Sequence, residues 1–456
     1  MRYLETDRNF YRDVVKIALP VAMQSVITTG VNLVDTIMLG SLGETALSAS
    51  SLANQFITLF TFLCMGVSMG ASVLTSRFWG SQDLFSLKKV ITVALRSGVL
   101  LALAFTVANV LFSRQIMSLY TQEQPVIDAG AEYLIWSTAT FLLMGLSTVS
   151  TNIMRSVGLP HLPFIGAVSA FLINIGANWI FIFGKFGAPR MGVAGAAVGT
   201  VIARLVEFCI IVGYFLLADK HVRYRVKDLF SPCREMVGEF LRISVPVMLS
   251  DGLLGVGENV LAIIMGHIGS QFVSANAITL VVQRISAIFI TGISFSSCFI
   301  IGKTLGEGSV PRAQKQGNTF LILGLAIGAA AGGIIFLISG PMVGFYDVEA
   351  GTKDIALQLM DALSLIVIFR SANSILTKGV LRGGGDTRFL VAADTLTMWC
   401  FAIPLGALAG LVLHLPAFWV FLLLHIDQII KAVWCVFRLK SGKWVKTIHG
   451  AGAETS

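Results

Sequence analysis

Apolar runs of twenty or more residues return along this whole chain, and a polypeptide built that way has to fold inside a lipid bilayer. Of its 456 residues, 55% are hydrophobic and 13% charged, against about 25% charged in an ordinary soluble domain. The runs predict twelve spans, at 14–38, 46–75, 90–113, 126–154, 160–184, 192–217, 236–265, 272–302, 316–340, 353–381, 389–412 and 416–437. They are continuous rather than alternating, which selects helices over a β-barrel. No stretch is left over for a soluble domain. The expected class is an all-α integral membrane protein.

The net charge of +8 invites a nucleic-acid reading, but its placement argues otherwise. With both termini inside, 22 Lys and Arg fall at the cytoplasmic ends and loops, against 4 outside (Arg114, Lys185, Arg190, Lys353). That is the positive-inside pattern of twelve spans with cytoplasmic termini, and it leaves no nucleic-acid footprint. The six cysteines are scattered without a CxxC pair, so neither a disulfide framework nor a zinc site is expected. GVSMG at 66–70 spells G-x-S-x-G but lies inside an apolar helical run, where no nucleophile elbow can form. With no HExxH or Walker A motif either, no catalytic residues, no cofactor and no enzyme are expected.

The chain repeats itself. At a shift of 226, Ile17 and Pro20-Val21 meet Ile243 and Pro246-Val247, Gly40 meets Gly266, and Gly80 meets Gly306. At 227, Arg155 meets Arg382 and Gly158 meets Gly385. An even number of spans per copy puts both copies in the membrane in the same sense. This predicts two six-helix bundles, 1–217 and 236–456, joined by a cytoplasmic linker at 218–235, with a cleft suited to rocking-type alternating access. The copies have diverged: Asp35 aligns with Leu261, and Glu258 with Asn32.

The first span, 17–39, carries the sharpest polar signal. Asp35 is the only charge between Lys16 and Glu44. Gln24, Thr28, Asn32 and Asp35 fall within about 80° of one another on a helical wheel, a single polar face. An isolated carboxylate at membrane depth needs a partner or a cavity, and Pro20 in the same span removes a backbone hydrogen bond and makes a hinge there cheap. Asn174 and Asn178, one turn apart on a span with no charge, also need partners. Gly195 and Gly199 at small-xxx-small spacing let the sixth span approach the fifth, bringing Thr200 near those amides.

The stretches PVAMQSVITTGVNLVDTIMLG at 20–40, PVMLSDGLLGVGENVLAIIMG at 246–266, VLRGGGDTRF at 380–389, and LINIGANWIFIFG with MGVAGAAVGTVIAR at 172–184 and 191–204 together resemble the multidrug and toxic compound extrusion family, MATE. The resemblance covers essentially the whole chain, and its first half looks most like the bacterial DinF-like branch. It implies a secondary active antiporter of a bacterial inner membrane, exporting cationic, amphipathic compounds against protons or sodium. It also implies that Asp35 works with polar residues of spans five and six, here Asn174, Asn178 and Thr200. DinF-like members often carry Asp where this chain has Asn178. One acid bordered by amides suits a proton better than sodium, since burial favours the neutral carboxyl and amides bond either state.

In the second half, Asp251 and Glu258 lie seven apart on one face. NorM-like members use a glutamate at the place of Glu258, but tend to have an Asp where this chain has Ser371, so this ion site looks incomplete. The expectation is a proton-coupled exporter working through Asp35, Asn174, Asn178 and Thr200, with Gln24, Thr28, Asn32, Glu258 and Asp251 toward the substrate and Pro20 as hinge. Sodium at Asp35 is the alternative ion, and no other metal is expected. A lipid-linked saccharide flippase of a related two-bundle fold is the alternative class. Small cationic drugs and membrane lipids are the expected partners, and the chain is expected to act as a monomer.

Overall fold

The computed structural model describes residues 4–346 and 348–448, and every regular element among them is helical. The chain runs α1 (Arg8–Gly40), α2 (Glu44–Gly80), α3 (Leu84–Ser118), α4 (Gln124–Trp136), α5 (Thr138–Ser156), α6 (His161–Phe183) and α7 (Val193–Phe208), the last continued in a π-helical stretch to Ala218. The second half holds α8 (Arg234–Ile268), α9 (Ser270–Gly306), α10 (Val310–Gly344) and α11 (Ala350–Ser374), which a π-helical turn carries to Leu381. Then come α12 (Thr387–Leu396), α13 (Ile403–Ala407), α14 (Ala417–Leu424) and α15 (Ile426–Lys440).

Among the described residues ten helical runs are long and apolar enough to cross a membrane; α12, α13 and the π-helical turns around them form one of these, Thr387–Val412. Two further spans are broken, α4–α5 by 53° and α14–α15 by 42°. Counting each bent pair once gives twelve, and all twelve predicted spans are present. The protein is a multi-pass, all-helical membrane protein.

Two compact units emerge from the contacts. One comprises residues 23–78 and 83–245, the other 4–22, 79–82 and 246–448. The repeat alone divides the chain at 217 and 236. Contacts place the starts of α1 and α8 differently, because each helix changes company at its proline. Before Pro20, Phe10 packs edge-on against Phe320, and Phe10, Val14 and Ile17 share a core with Phe299 and Leu381. Arg312 of α10 also holds Glu5 and Asp7, at 3.2 and 3.0 Å. At the start of α8, Glu235 pairs with Lys89 of α3 at 2.6 Å and Ser244 fits against Gly70 of α2.

The first-half unit is glued by close helix approach. A Cβ at Gly195 would strike the backbone of Phe181 and Ile182, so the small-xxx-small spacing packs α7 onto α6 as predicted. Beside them Phe56, Phe60, Phe105 and Phe141 form an aromatic cluster, with Phe60 and Phe141 edge-to-face at 5.2 Å. In the second-half unit Gly324, Gly328 and Gly332 of α10 do the same work against Ala372, Ile368 and Ser364 of α11.

The segment 218–235 is an ordered strap within the first-half unit. Lys88 pairs with Asp228 at 3.0 Å, and Arg96 donates to the carbonyls of Leu229 and Ser231. Tyr224 stacks on Phe215 and shares a hydrogen bond with Thr92. Asp219 turns the strap by accepting from the backbone of His221, Val222 and Arg223.

Candidate functional site

Asp35 stands in the last turns of α1, half-buried and about four helical turns past Pro20. Asn178 of α6 donates its amide nitrogen to Asp35 Oδ1 at 2.5 Å and to Asn174 Oδ1 at 3.3 Å. Both asparagines are buried. Turning the Asn178 amide over would press its oxygen onto two other oxygens, so the donor faces the acid. Its own oxygen faces Gly199 of α7, where a side chain would collide with it. Gly199 thus sets the orientation of the amide, and the amide meets the acid.

Thr200, next along α7, lies beside Tyr133 of α4, which also touches Asn54 of α2 and stands in the field of Asp35. Tyr133 is a residue the sequence reading missed. The signal was present: Tyr133, Ser137 and Thr140 recur at i, i+4 and i+7 as a buried polar stripe through the α4–α5 break. One turn beyond Thr200, Arg204 and Glu207 pair at 2.6 Å, and the arginine's charge bears on Asp35. The predicted group of Asp35, Asn174, Asn178 and Thr200 is therefore gathered in one place, with Tyr133 added. What it offers chemically is one carboxylate whose nearest partners are hydrogen-bond donors.

The other candidates scatter. Gln24 turns to Arg155 at the end of α5, at 2.5 Å. Thr28 and Asn32 are exposed; the Thr28 hydroxyl bonds back to the Gln24 carbonyl, and Thr36 does the same to Asn32. The predicted polar face of α1 thus splits into two inward contacts and two exposed residues. In the second-half unit Asp251 pairs with Arg382 at 3.1 Å. Glu258 is exposed on α8, with Arg370 of α11 as a charged neighbour. Ser371 is buried against Gly328 of α10 and takes no part in a polar cluster with Glu258. Asp394 and Lys431 pair at 2.8 Å, with Asp427 3.7 Å from the same ammonium. Among the described residues no group of three or more His, Cys, Asp or Glu could hold a metal ion.

Long apolar spans, with one carboxylate at membrane depth held by a buried amide, are the frame of a membrane transporter. The chain belongs to the MatE family, whose model matches residues 20–180 and 246–408, one match in each repeat. It is 24% identical over 440 residues to the probable multidrug resistance protein NorM of Thermotoga maritima, covering 95% of this chain and 93% of that one. Two solved structures, described as MATE in the bent and in the straight conformation, each superpose with a TM-score of 0.84 at 18% identity. They cover 96% of this chain and 99% and 100% of theirs. The named relative carries the NorM name, and the likeness to the DinF-like branch stays with the first-half residues that carry it.

Proposed function

We propose that the protein exports cationic, amphipathic compounds from a bacterial cell in exchange for protons, by alternating access through the inner membrane with both termini in the cytoplasm. The observation that carries the proton is the orientation of Asn178. A sodium ion at Asp35 would need several oxygens turned toward it at once. Here the amide closest to the carboxylate presents N–H, and its oxygen points away toward Gly199. A proton needs only the carboxylate, and the neutral acid keeps a hydrogen bond with the same amide.

Ionised, Asp35 attracts a cationic substrate and holds α6 through Asn178. Protonated, it loses that attraction and its bond to Asn178 weakens from charge-assisted to neutral. α1 is then free to change shape about Pro20, which lacks the restraint of a backbone hydrogen bond. Two similar solved structures are described as MATE in a bent and in a straight conformation, which supports a fold that takes two shapes. The test is drug efflux in a pump-deficient strain and in everted vesicles, with pH and sodium gradients set independently. Efflux that collapses with the pH gradient at constant sodium is expected. Efflux that follows sodium alone would overturn proton coupling.

A further inference from the structure

Both halves hold an arginine against the helix that bears the proline. Arg155 and Arg382, matched by the repeat, end α5 and the π-helical turn after α11. In the first-half unit, Arg155 Nη2 donates to Gln24 Oε1 at 2.5 Å, four residues past Pro20. Its Nη1 reaches Asn152 Oδ1 at 3.4 Å, and Asn152 is tied to Ser68 of α2 at 2.9 Å. In the second-half unit, Arg382 donates to both oxygens of Asp251, at 3.1 and 3.5 Å, five residues past Pro246. The arginine is kept; its partner is an amide in one half and a carboxylate in the other.

We propose that Arg155 is a positioning residue for transport, and that its bond to Gln24 is a releasable latch on α1, made permanent on α8 by Asp251. A restraint placed just beyond a proline acts where the helix has lost a backbone bond, so it decides whether the helix can bend. Parting a guanidinium from a neutral amide separates one charge from a dipole. Parting Arg382 from Asp251 would strand two opposite charges in a low-dielectric interior. The two halves therefore differ in which proline-bearing helix is free to move. This rests on the export reading above, with α1 as the moving helix.

Gln24→Glu gives α1 the carboxylate that α8 already has, and it is the test. Using tetraphenylphosphonium as probe in proteoliposomes, turnover should fall by about tenfold or more as the two-state balance is pinned. Binding of the probe to purified protein should persist, and Tm should rise. Adding Arg155→Gln to Gln24→Glu should undo both the arrest and the Tm rise, a reversal that mere damage to the fold cannot give. Wild-type turnover in the same vesicles reads the export function separately, and the Tm pair reads the latch without any transport. A Gln24→Glu protein with wild-type turnover and Tm would overturn the latch. So would an arrest that Arg155→Gln fails to relieve.

Discussion

The Asn178 amide and the Asp35 carboxylate meet at 2.5 Å across two helices that lie 143 residues apart in the chain. This contact joins the only charge of the first span to a helix with no charge at all. It makes the protonation of one side chain a matter of helix–helix attachment.

Replacing Asp35 by Asn removes the titrating group while keeping shape and a hydrogen-bonding end. Coupled efflux in vesicles should fall to the level of empty vesicles, with expression and Tm near wild type. Unchanged drug resistance in cells carrying this variant would remove Asp35 from the coupling step.

Asn178→Asp places a second carboxylate against the first. Two acids this close favour a shared cation, so efflux at fixed pH should become sensitive to sodium. The measurement is the initial efflux rate across a sodium series, wild type beside variant; two flat series would count against the amide as the selector of the ion.

Gly199→Ala puts a methyl group where the Asn178 oxygen lies. Overpacking of this kind costs about 1–3 kcal/mol, read as a lower Tm. Transport should suffer more than stability, because the displaced amide no longer meets Asp35. The neighbouring Gly195→Ala, aimed at the backbone of Phe181, should lower Tm without that excess loss.

In the second-half unit Asp251→Ala would leave Arg382, 3% exposed, without its carboxylate. Breaking a buried pair costs about 3–5 kcal/mol, and the partial exposure of Asp251 places this one toward the lower end. The double variant with Arg382→Met should recover most of the loss, as measured by Tm in detergent.

The strap responds to acid. Partial burial raises the Asp228 carboxyl, but the Lys88 bond and the Arg225 N–H outweigh it and hold the group below the usual carboxylate range. A depressed folded-state value means stability that is present above the unfolded value of about 3.9 and lost as pH falls through the folded one. Proteolysis within 219–235 should therefore accelerate at acidic pH below about 4, and Asp228→Asn should show the faster cleavage already at neutral pH.

The twelve spans were legible because a bilayer imposes length and hydropathy on each span separately, and Asp35, Asn174 and Asn178 because a polar group in lipid has no local excuse. Tyr133 was legible only through its spacing with Ser137 and Thr140, because an aromatic in an apolar run otherwise looks like filler; its place beside Thr200 and Asn54 is set by the packing of helices. The partner of Asp251, which lies 131 residues away on another helix, was not legible. Such pairings are set by how helices face one another, and helix periodicity gives only which face a residue is on. The change of company at Pro20 and Pro246 escaped for the same reason: each helix reads as one uninterrupted run.

A joint between two fused gene copies is usually the slackest part of a duplicated protein, the natural place to lengthen, tag or cut. Here that joint has been recruited as masonry. Lys88, Lys89, Thr92 and Arg96 face it along a single side of α3, and its own Asp219 and Asp228 fold it tight. The two ancestral copies can no longer be separated at their seam without tearing a wall out of the first.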